Sequence, residues 1–312
     1  MNDILQQIKN QSFLNEEKLS AFLKKNCSFS ISGLTSFLRL LLLAQISSQK
    51  KTVFITNTEQ NALKYKHDLE KFFEIDSVIF PYQDISIYDG VEPNLYKYAK
   101  QTDILMNIQN IPLLLVPVKA LLEKFPDKNF YTENSINIKI DDEIDTSNIS
   151  QKLVDMGYKR VTMVSDIGEF SIRGDILDVF SLNQYAVRIE LWGDTVTDIR
   201  YFDNKNQRSV KKNKETVILP VYKFILNKDN IETFKNELTE ATVQTEIGEN
   251  ADVIREMLGE TLEKIDEEKY FDGIDYFQSY LNKKMQNIFV VMDKLYEKFT
   301  GTKYEKEFES IY

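Results

Sequence analysis

The feature that most constrains the fold is the alternation of short apolar segments with helical segments in the first third of the chain. Strand-like runs occur at 28–32 ("SFSIS"), 51–56 ("KTVFIT"), 77–80 ("SVIF") and 111–118 ("IPLLLVPV"). The last run shows no apolar–polar alternation, as is typical of a strand buried on both faces. The segments between these runs are expected to be helical at 35–46, 58–73 and 94–110. Strands separated by helices predict βαβ units and a parallel sheet, which places the chain in the α/β class.

The pattern changes after Pro126 to extended segments with little helix. Alternating runs occur at 135–140 ("SINIKI") and 168–180 ("GEFSIRGDILDVF"), and "AVRIELWGDTVTDIRYFD" predicts a hairpin that turns at Gly193-Asp194. One short helix is expected, with Ser147 as its N-cap and Gly157 just after its end. From about residue 214 the chain becomes helical again. The extended run "KRVTMV" (159–164) and the apolar run "NIFVVMD" (287–293) complete the pattern, and we expect the latter to return to the first sheet.

We therefore predict a β-rich insertion between two halves of one α/β domain. The predicted borders are 1–125 for the first half, 126–213 for the insertion and 214–312 for the second half.

The composition excludes several classes of function. One histidine (His67) and one cysteine (Cys27) in 312 residues cannot form a zinc site or a disulfide, and a histidine-dependent catalytic triad has no support. The sequence predicts no cofactor and no metal. The start of the chain lacks a signal-peptide pattern, and the most apolar run is about half a membrane span and contains Arg39, so we expect a cytoplasmic protein.

The net charge of −10 disfavours sequence-independent binding of duplex DNA over the whole surface. One basic run, 205–214 ("KNQRSVKKNK"), has two interpretations. It is either a flexible solvated connector or a local phosphate-binding patch with weak DNA affinity.

The first predicted βα junction has the architecture of a phosphate-binding loop without its chemistry. A working loop needs several glycines, a lysine that reaches the β and γ phosphates, and a Ser or Thr for Mg²⁺. Here "SISGLTSFLRLL" offers Gly33, Thr35 and Ser36, and no lysine lies between Lys25 and Lys50. We interpret the segment as a degenerate phosphate loop, and we predict that the chain is not an enzyme.

Several segments together resemble one known family. "GEFSIRGDILDVF", "FPYQDISIYDG", "LLLVPVKALLEKFP", "LVDMGYKRV", "ILPVYKF" and "YFDGIDYFQSYL" follow the order and spacing of the UvrB-like module, which occurs in UvrB and in the transcription-repair coupling factors (Mfd). The resemblance covers nearly the whole chain. The degenerate phosphate loop, and the lack of room for the DNA-clamping hairpin of UvrB after the Tyr-rich stretch, favour the coupling-factor branch. The resemblance thus implies an amino-terminal fragment with a degenerate helicase-like first domain.

The resemblance also implies a function. In the family, arginines on the inserted β domain bind UvrA; the matching positions here are Arg160 and Arg173, with Phe180 as a weaker rim contact. A further arginine of UvrB falls on Ser171. The implied role is a non-catalytic, monomeric module that recruits UvrA to stalled RNA polymerase for nucleotide excision repair. The remainder of a full-length protein, an ATP-dependent translocase, would bind RNA polymerase and DNA.

Strand alternation by itself places Arg173 on the face opposite Phe170 and Ile172, away from a core. The alternative role for Arg173 is an ion pair with Asp175 or Glu169. We expect Gly174 to permit a bulge or a close backbone approach, Asp175 to lie in a turn or salt bridge, and Asp178 to lie at a strand edge. Trp192, beside the predicted hairpin turn, either caps a core or is an exposed anchor.

Two rival functions stay open at the level of the sequence. One is a nucleotide-dependent repair helicase subunit of the UvrB type, against which the missing lysine argues. The other is an α/β enzyme with a small-molecule pocket, for which Tyr82, Tyr88 and Asp89 would be the lining residues.

Overall fold

The structure is a computed structural model of the chain. It describes residues 31–83, 94–182, 185–226, 228–244, 251–267, 270–271, 274–282 and 285–287. The chain divides into two compact units, one formed by residues 1–81 and 107–121 and the other by residues 82–106 and 122–312.

The α-helices are α1 (Ser36–Ser47), α2 (Glu59–Phe73), α3 (Leu95–Asn107), α4 (Lys128–Glu133), α5 (Thr146–Asp155), α6 (Lys228–Gln244), α7 (Ala251–Glu267) and α8 (Gln278–Leu281). The strands are β1 (Thr52–Thr56), β2 (Val78–Ile79), β3 (Leu113–Pro117), β4 (Lys124–Phe125), β5 (Ile136–Lys139), β6 (Lys159–Arg160), β7 (Glu169–Arg173), β8 (Ile176–Phe180), β9 (Ala186–Trp192), β10 (Thr195–Phe202), β11 (Ser209–Asn213), β12 (Glu215–Ile218) and β13 (Gln286–Asn287). Short 3₁₀ turns span Ile108–Asn110, Val118–Leu122 and Ile274–Phe277.

The first unit contains the predicted parallel sheet, with strand order β1-β3-β2. Both strand pairs are parallel, with Thr52 opposite Leu113 and Val78 opposite Leu114. All five residues of the central strand β3 are buried, which accounts for its uninterrupted apolar sequence. Helices α1 and α2 supply the leucines and alanines that pack on this sheet. The α/β class and the parallel pairing are confirmed.

The second unit is built on a six-stranded sheet with the order β11-β10-β9-β8-β7-β6. Strands β7 to β11 are joined in sequence order and pair antiparallel, whereas the edge strand β6 pairs parallel to β7. The predicted β9–β10 hairpin is confirmed. Its turn begins at Gly193, whose φ of +60° fits the first central position of a type II′ turn.

One face of this sheet is apolar over the inner strands β7 to β10. Phe170, Leu177, Val187 and Ile189 are at most 1% exposed and form part of a core that α5 covers through Leu153. The opposite face is divided. At one end, apolar side chains from β8, β9 and β10 pack under α3, and these are Phe180, Ala186 and Phe202. The other end of that face is polar, and it carries the candidate site.

The carboxyl-terminal helices of the second unit pack on the segment that follows β12. Phe224 and Leu226 join a cluster with residues of α6 and α7. Tyr222 stacks on Tyr270 with ring centroids 4.9 Å apart. The hydroxyl of Tyr270 donates to the carbonyl of Asp155 at 2.7 Å and accepts from the amide of Leu226 at 3.1 Å. This tyrosine therefore ties the end of α5 to the helical segment.

Several local predictions need correction. Helix α5 is capped by Asp145, whose carboxylate accepts from the amides of Ser147 and Asn148, because the helix begins two residues earlier than the predicted cap at Ser147 requires. In "KRVTMV" the strand is limited to Lys159–Arg160. The basic run is not simply a connector, since Ser209–Asn213 forms the edge strand β11.

Some predictions fall outside the described residues. These are the helix at 1–25, residues 28–30 of the first predicted strand, Tyr88 and Asp89, and residues 288–293 of "NIFVVMD". Within the described part, Asn287 pairs with Lys124 in a two-stranded antiparallel sheet. The predicted domain borders stay predictions. Among the described residues, none of the helices combines the length and the apolar character that crossing a membrane requires.

Candidate functional site

The segment "GEFSIRGDILDVF" is a tight hairpin whose turn presents Arg173. Strands β7 and β8 pair with Arg173 opposite Ile176, so Gly174 and Asp175 form a two-residue turn. Gly174 has a φ of +58°, which favours glycine, and nothing lies within 4 Å of the position that a Cβ would occupy. The glycine is therefore required by the backbone conformation of the turn, and the expected bulge or close approach of another backbone is not observed. Asp175 lies in the turn, as one of its two expected roles requires.

The side chain of Arg173 is 48% exposed, yet one nitrogen of its guanidinium is held by an ion pair. Its Nη2 donates to Oδ2 of Asp178 at 2.7 Å. The expected intrachain partners were Asp175 and Glu169, but the hairpin turn changes which residues are neighbours. Because Ser171 lies opposite Asp178, Arg173 and Asp178 share one face of the sheet and meet on a diagonal.

Asp178 is fully buried, which corrects the expectation that it lies at a strand edge. It sits on the inner strand β8, and Arg188 on β9 lies directly opposite. The Nε of Arg188 donates to Oδ1 at 2.7 Å and its Nη2 donates to Oδ2 at 2.8 Å, a bidentate contact. These hydrogen bonds raise the pKa of Arg188 above its ordinary value. A buried carboxylate thus joins one largely buried arginine to one exposed arginine.

The ion pairs continue across the sheet. Arg200 on β10 pairs with Glu190 on β9 and with Asp198, 3.5 Å away. Asp198 also pairs with Lys212 on the edge strand β11 at 3.2 Å. Arg188, Arg200 and Lys212 lie side by side in the strand register, where like charges repel each other. The interleaved acids compensate for this repulsion, and each of Asp178 and Asp198 is shared between two cations.

Two loops close over the polar face beside this network. Gln207 accepts from Nη2 of Arg188 at 3.3 Å and donates to the carbonyl of Val164 at 3.0 Å. Asn204 donates to the carbonyl of Ser165. The carboxylate of Glu169 accepts from the amide of Ser165 at 2.8 Å, so this side chain is used within its own loop. Hydrogen bonds of Gln207, Asn204 and Glu169 therefore hold these loops beside the ion-pair network.

Arg160 and Trp192 flank Arg173 on exposed positions. Arg160 lies on the edge strand β6 opposite Phe170, and its Cα is on the order of 11 Å from that of Arg173 by strand geometry. Trp192 ends β9 and is 81% exposed, which settles its two alternatives in favour of an exposed position. Trp192 lies four residues after Arg188 in β9 and therefore on the same face of the sheet. Its Cα is roughly 12 Å from that of Arg173. The Cα atoms of the three residues span about 20 Å, and we call these positions the arginine–tryptophan patch. Arg173 and Trp192 lie on the polar face, whereas Arg160 pairs with Phe170 and lies on the other face, at the exposed edge of the sheet.

Two other positions implied by the resemblance are buried. Phe180 is 5% exposed and packs in the cluster beneath α3, so its ring stabilises the sheet and does not form a rim. Ser171 is 1% exposed, and its hydroxyl donates to the carbonyl of Thr162 at 3.0 Å. A side chain at this position faces the loop that follows β6. Sequence reasoning did not predict that Asp178 pairs with two arginines. The signal for it is an acidic residue in the middle of the otherwise apolar strand β8.

The segment that we interpreted as a degenerate phosphate loop forms an ordinary helix start. Thr35 is the N-cap of α1, where its hydroxyl accepts from the amide of Leu38 at 3.4 Å, and Ser36 begins the helix. Gly33 has a φ of +76°. Within the described part of the chain, no group of three or more His, Cys, Asp or Glu side chains is arranged to hold a metal ion.

Comparison with known proteins adds two findings. The model of the family described as "UvrB interaction domain" matches residues 136–224, which include the network and the whole arginine–tryptophan patch. The transcription-repair-coupling factor of Staphylococcus aureus strain MRSA252 is 31% identical to this chain over 249 residues, which is 78% of this chain and 21% of that protein. The transcription-repair-coupling factor of Staphylococcus haemolyticus strain JCSC1435 is 30% identical over the same shares.

The chain thus spans about a fifth of the length of the curated relatives it matches. The family match falls on the sheet that carries the patch, and the identity extends well beyond it. Residues 136–224 therefore match the UvrB interaction domain, within a chain that is similar over 78% of its length to about a fifth of the length of the transcription-repair-coupling factors.

Proposed function

We propose that this chain is a non-catalytic docking module that recruits UvrA to RNA polymerase stalled at DNA damage, as the amino-terminal UvrB-like part of a transcription-repair-coupling factor. The observation that carries the proposal is the state of Arg173 within a UvrB interaction domain. Its side chain lies beside a hairpin turn and is nearly half exposed, and the buried carboxylate of Asp178 holds one nitrogen of its guanidinium.

The chemistry of this arrangement suits a carboxylate on a partner. The planar guanidinium has donors beyond the one that contacts Asp178, and the side chain that carries them is 48% exposed. A fixed guanidinium fork can bind a carboxylate in two places, and it loses less conformational entropy than a mobile side chain does. Arg160 adds a second exposed cation, and Trp192 adds the kind of large side chain that dominates binding energy at interfaces.

The rest of the proposal follows the same relatives. The first unit is a degenerate helicase-like domain whose phosphate loop lacks a usable lysine, so the chain itself hydrolyses no ATP. The translocase activity, and the binding of RNA polymerase and DNA, belong to the remainder of a longer protein. The proposed domain borders stay at 125/126 and 213/214, and the module acts as a monomer.

The test is a calorimetric titration of UvrA with the chain and with Arg173→Ala. We expect the substitution to weaken binding by about 2 kcal/mol, or about thirtyfold, as for an interface hot spot. Arg255→Ala is the matched control. Its side chain is 43% exposed and pairs with Asp252 on α7, outside the interaction domain, and binding should not change.

Three outcomes would contradict the proposal. One is no measurable affinity of the unmodified chain for UvrA. Another is equal binding by the chain with and without Arg173→Ala. A third is ATP turnover by the purified chain, which would favour a nucleotide-dependent helicase subunit of the UvrB type.

A further inference from the structure

The polar face of the six-stranded sheet contains a residue that determines how Arg173 is presented. We infer that Asp178 is a positioning residue: its buried carboxylate holds the exposed guanidinium of Arg173 in the orientation in which it meets a partner's carboxylate. The inference rests on the proposed docking function and extends it to a group that no partner can touch, since Asp178 has no exposed surface.

The first step in the argument is that Asp178 is itself immobile. It lies on an inner strand, between β7 and β9, and both of its oxygens accept from Arg188. Arg188 is 16% exposed, its guanidinium lies 4.8 Å from the ring centre of Phe202, and it also donates to Gln207. The carboxylate therefore has a fixed position before Arg173 contacts it.

The second step concerns charge. Arg188 neutralises Asp178, so the carboxylate can hold Arg173 by a hydrogen bond without cancelling its positive charge. The group of three side chains keeps a net charge of about +1, and the exposed member of the group is Arg173. A single acidic neighbour would instead leave a neutral pair. The three-residue arrangement thus presents a charge that is both ordered and available.

The third step compares Asp178 with Asp175, the acidic residue of the hairpin turn, as a partner for Arg173. Asp175 is adjacent to Gly174 and exposed, and on the sequence alone it is the nearer candidate for pairing with Arg173. An ion pair between two exposed side chains at a turn would be weak and screened by salt. The diagonal contact to a buried acid provides a more rigid support for the guanidinium, because one partner cannot move.

The experiment is a double-mutant cycle with UvrA as the titrant. The four proteins are the unmodified chain, Arg173→Ala, Asp178→Asn and the double variant. Asparagine keeps the shape of the aspartate and one acceptor oxygen. We expect Asp178→Asn to weaken binding about tenfold when Arg173 is present and to have no further effect when Arg173 is absent. Asp175→Asn removes the same charge in the same hairpin and should leave affinity unchanged.

A second measurement tests the ordering without any partner. Hindered rotation of the Arg173 guanidinium in the unmodified chain should give resolved Nη signals in ¹⁵N NMR spectra, assigned with Arg173→Lys. Averaged Nη signals would overturn the inference, and this result does not depend on whether Asp178→Asn folds. An equal loss of affinity from Asp178→Asn with and without Arg173 would overturn it as well, since that pattern reports a general change of the fold.

The two hypotheses fail in different ways. If Arg173→Ala leaves UvrA binding unchanged, the proposed docking site is wrong. If Arg173→Ala weakens binding and Asp178→Asn does not, the docking site is supported and the positioning role of Asp178 is wrong.

Discussion

Replacement of Gly157 by alanine is predicted to destabilise the second unit by about 2 kcal/mol. Gly157 follows α5 with a φ of +90°, and a left-handed conformation costs a residue with a Cβ about 1–2 kcal/mol. The new Cβ would also lie 2.5 Å from Cδ2 of Tyr222. That ring contacts the rings of both Phe224 and Tyr270, so displacing it would lose on the order of 1 kcal/mol of aromatic contact. Reduced entropy of the unfolded chain offsets this loss by about 0.4–1 kcal/mol.

Two other glycines of the same unit separate the contributions. Gly193 has a φ of +60°, and nothing lies within 4 Å of the point where an alanine Cβ would sit, so Gly193→Ala should cost only the backbone component, about 1 kcal/mol. Gly259 lies within α7 with no positive φ and open space around it, so Gly259→Ala should stabilise by about 0.5–1 kcal/mol.

Urea unfolding followed by far-ultraviolet circular dichroism gives the three free energies. We expect Gly157→Ala to be the most destabilised variant, Gly193→Ala to be intermediate, and Gly259→Ala to exceed the unmodified chain. Equal stabilities for Gly157→Ala and Gly193→Ala would refute the argument that close packing against Tyr222, and not backbone conformation alone, requires a glycine after α5.

Further predictions concern the patch and the core. Trp192→Ala should weaken UvrA binding about tenfold in the calorimetric titration. The free energy of unfolding should change by no more than about 0.5 kcal/mol, because the indole is 81% exposed. An unchanged affinity would show that Trp192 is not part of the docking surface. Burial raises the pKa of Tyr131 to about 12, whereas an unfolded tyrosine titrates near about 10. The folded state therefore retains a proton that the unfolded state loses, and stability should be complete below about pH 10 and fall as the pH rises towards 12. Tyr131→Phe should make this alkaline loss, measured by urea unfolding at each pH, less steep; an unaltered slope would contradict the assignment.

Much of the fold followed from local pattern. The unalternating run in β3 predicted a strand buried in a parallel sheet, because burial on both faces leaves no position for polar side chains. The alternation in β9 predicted which side chains face the core, and the glycine at the β9–β10 turn predicted a hairpin, since both depend on backbone geometry over a few residues. The same local logic predicted that Arg173 points away from the core.

The partner of Arg173 did not follow from the sequence. Glu169 and Asp175 were the expected partners because they are near in the chain, but the turn at Gly174 brings Asp178 onto the same face. Burial of that acid is tolerated because Arg188 approaches from the next strand, ten residues further along. Likewise Phe180 looks available in the sequence and is covered by α3, a helix about eighty residues earlier.

The sequence by itself determined the strand and helix alternation, the hairpin turn and the side of the sheet on which Arg173 lies, because each of these depends on backbone geometry and apolar patterning within a short window. The tertiary structure alone decided which charges meet, which are buried and which remain exposed, because those outcomes depend on the register between strands that are distant in the chain and on which elements pack over each face.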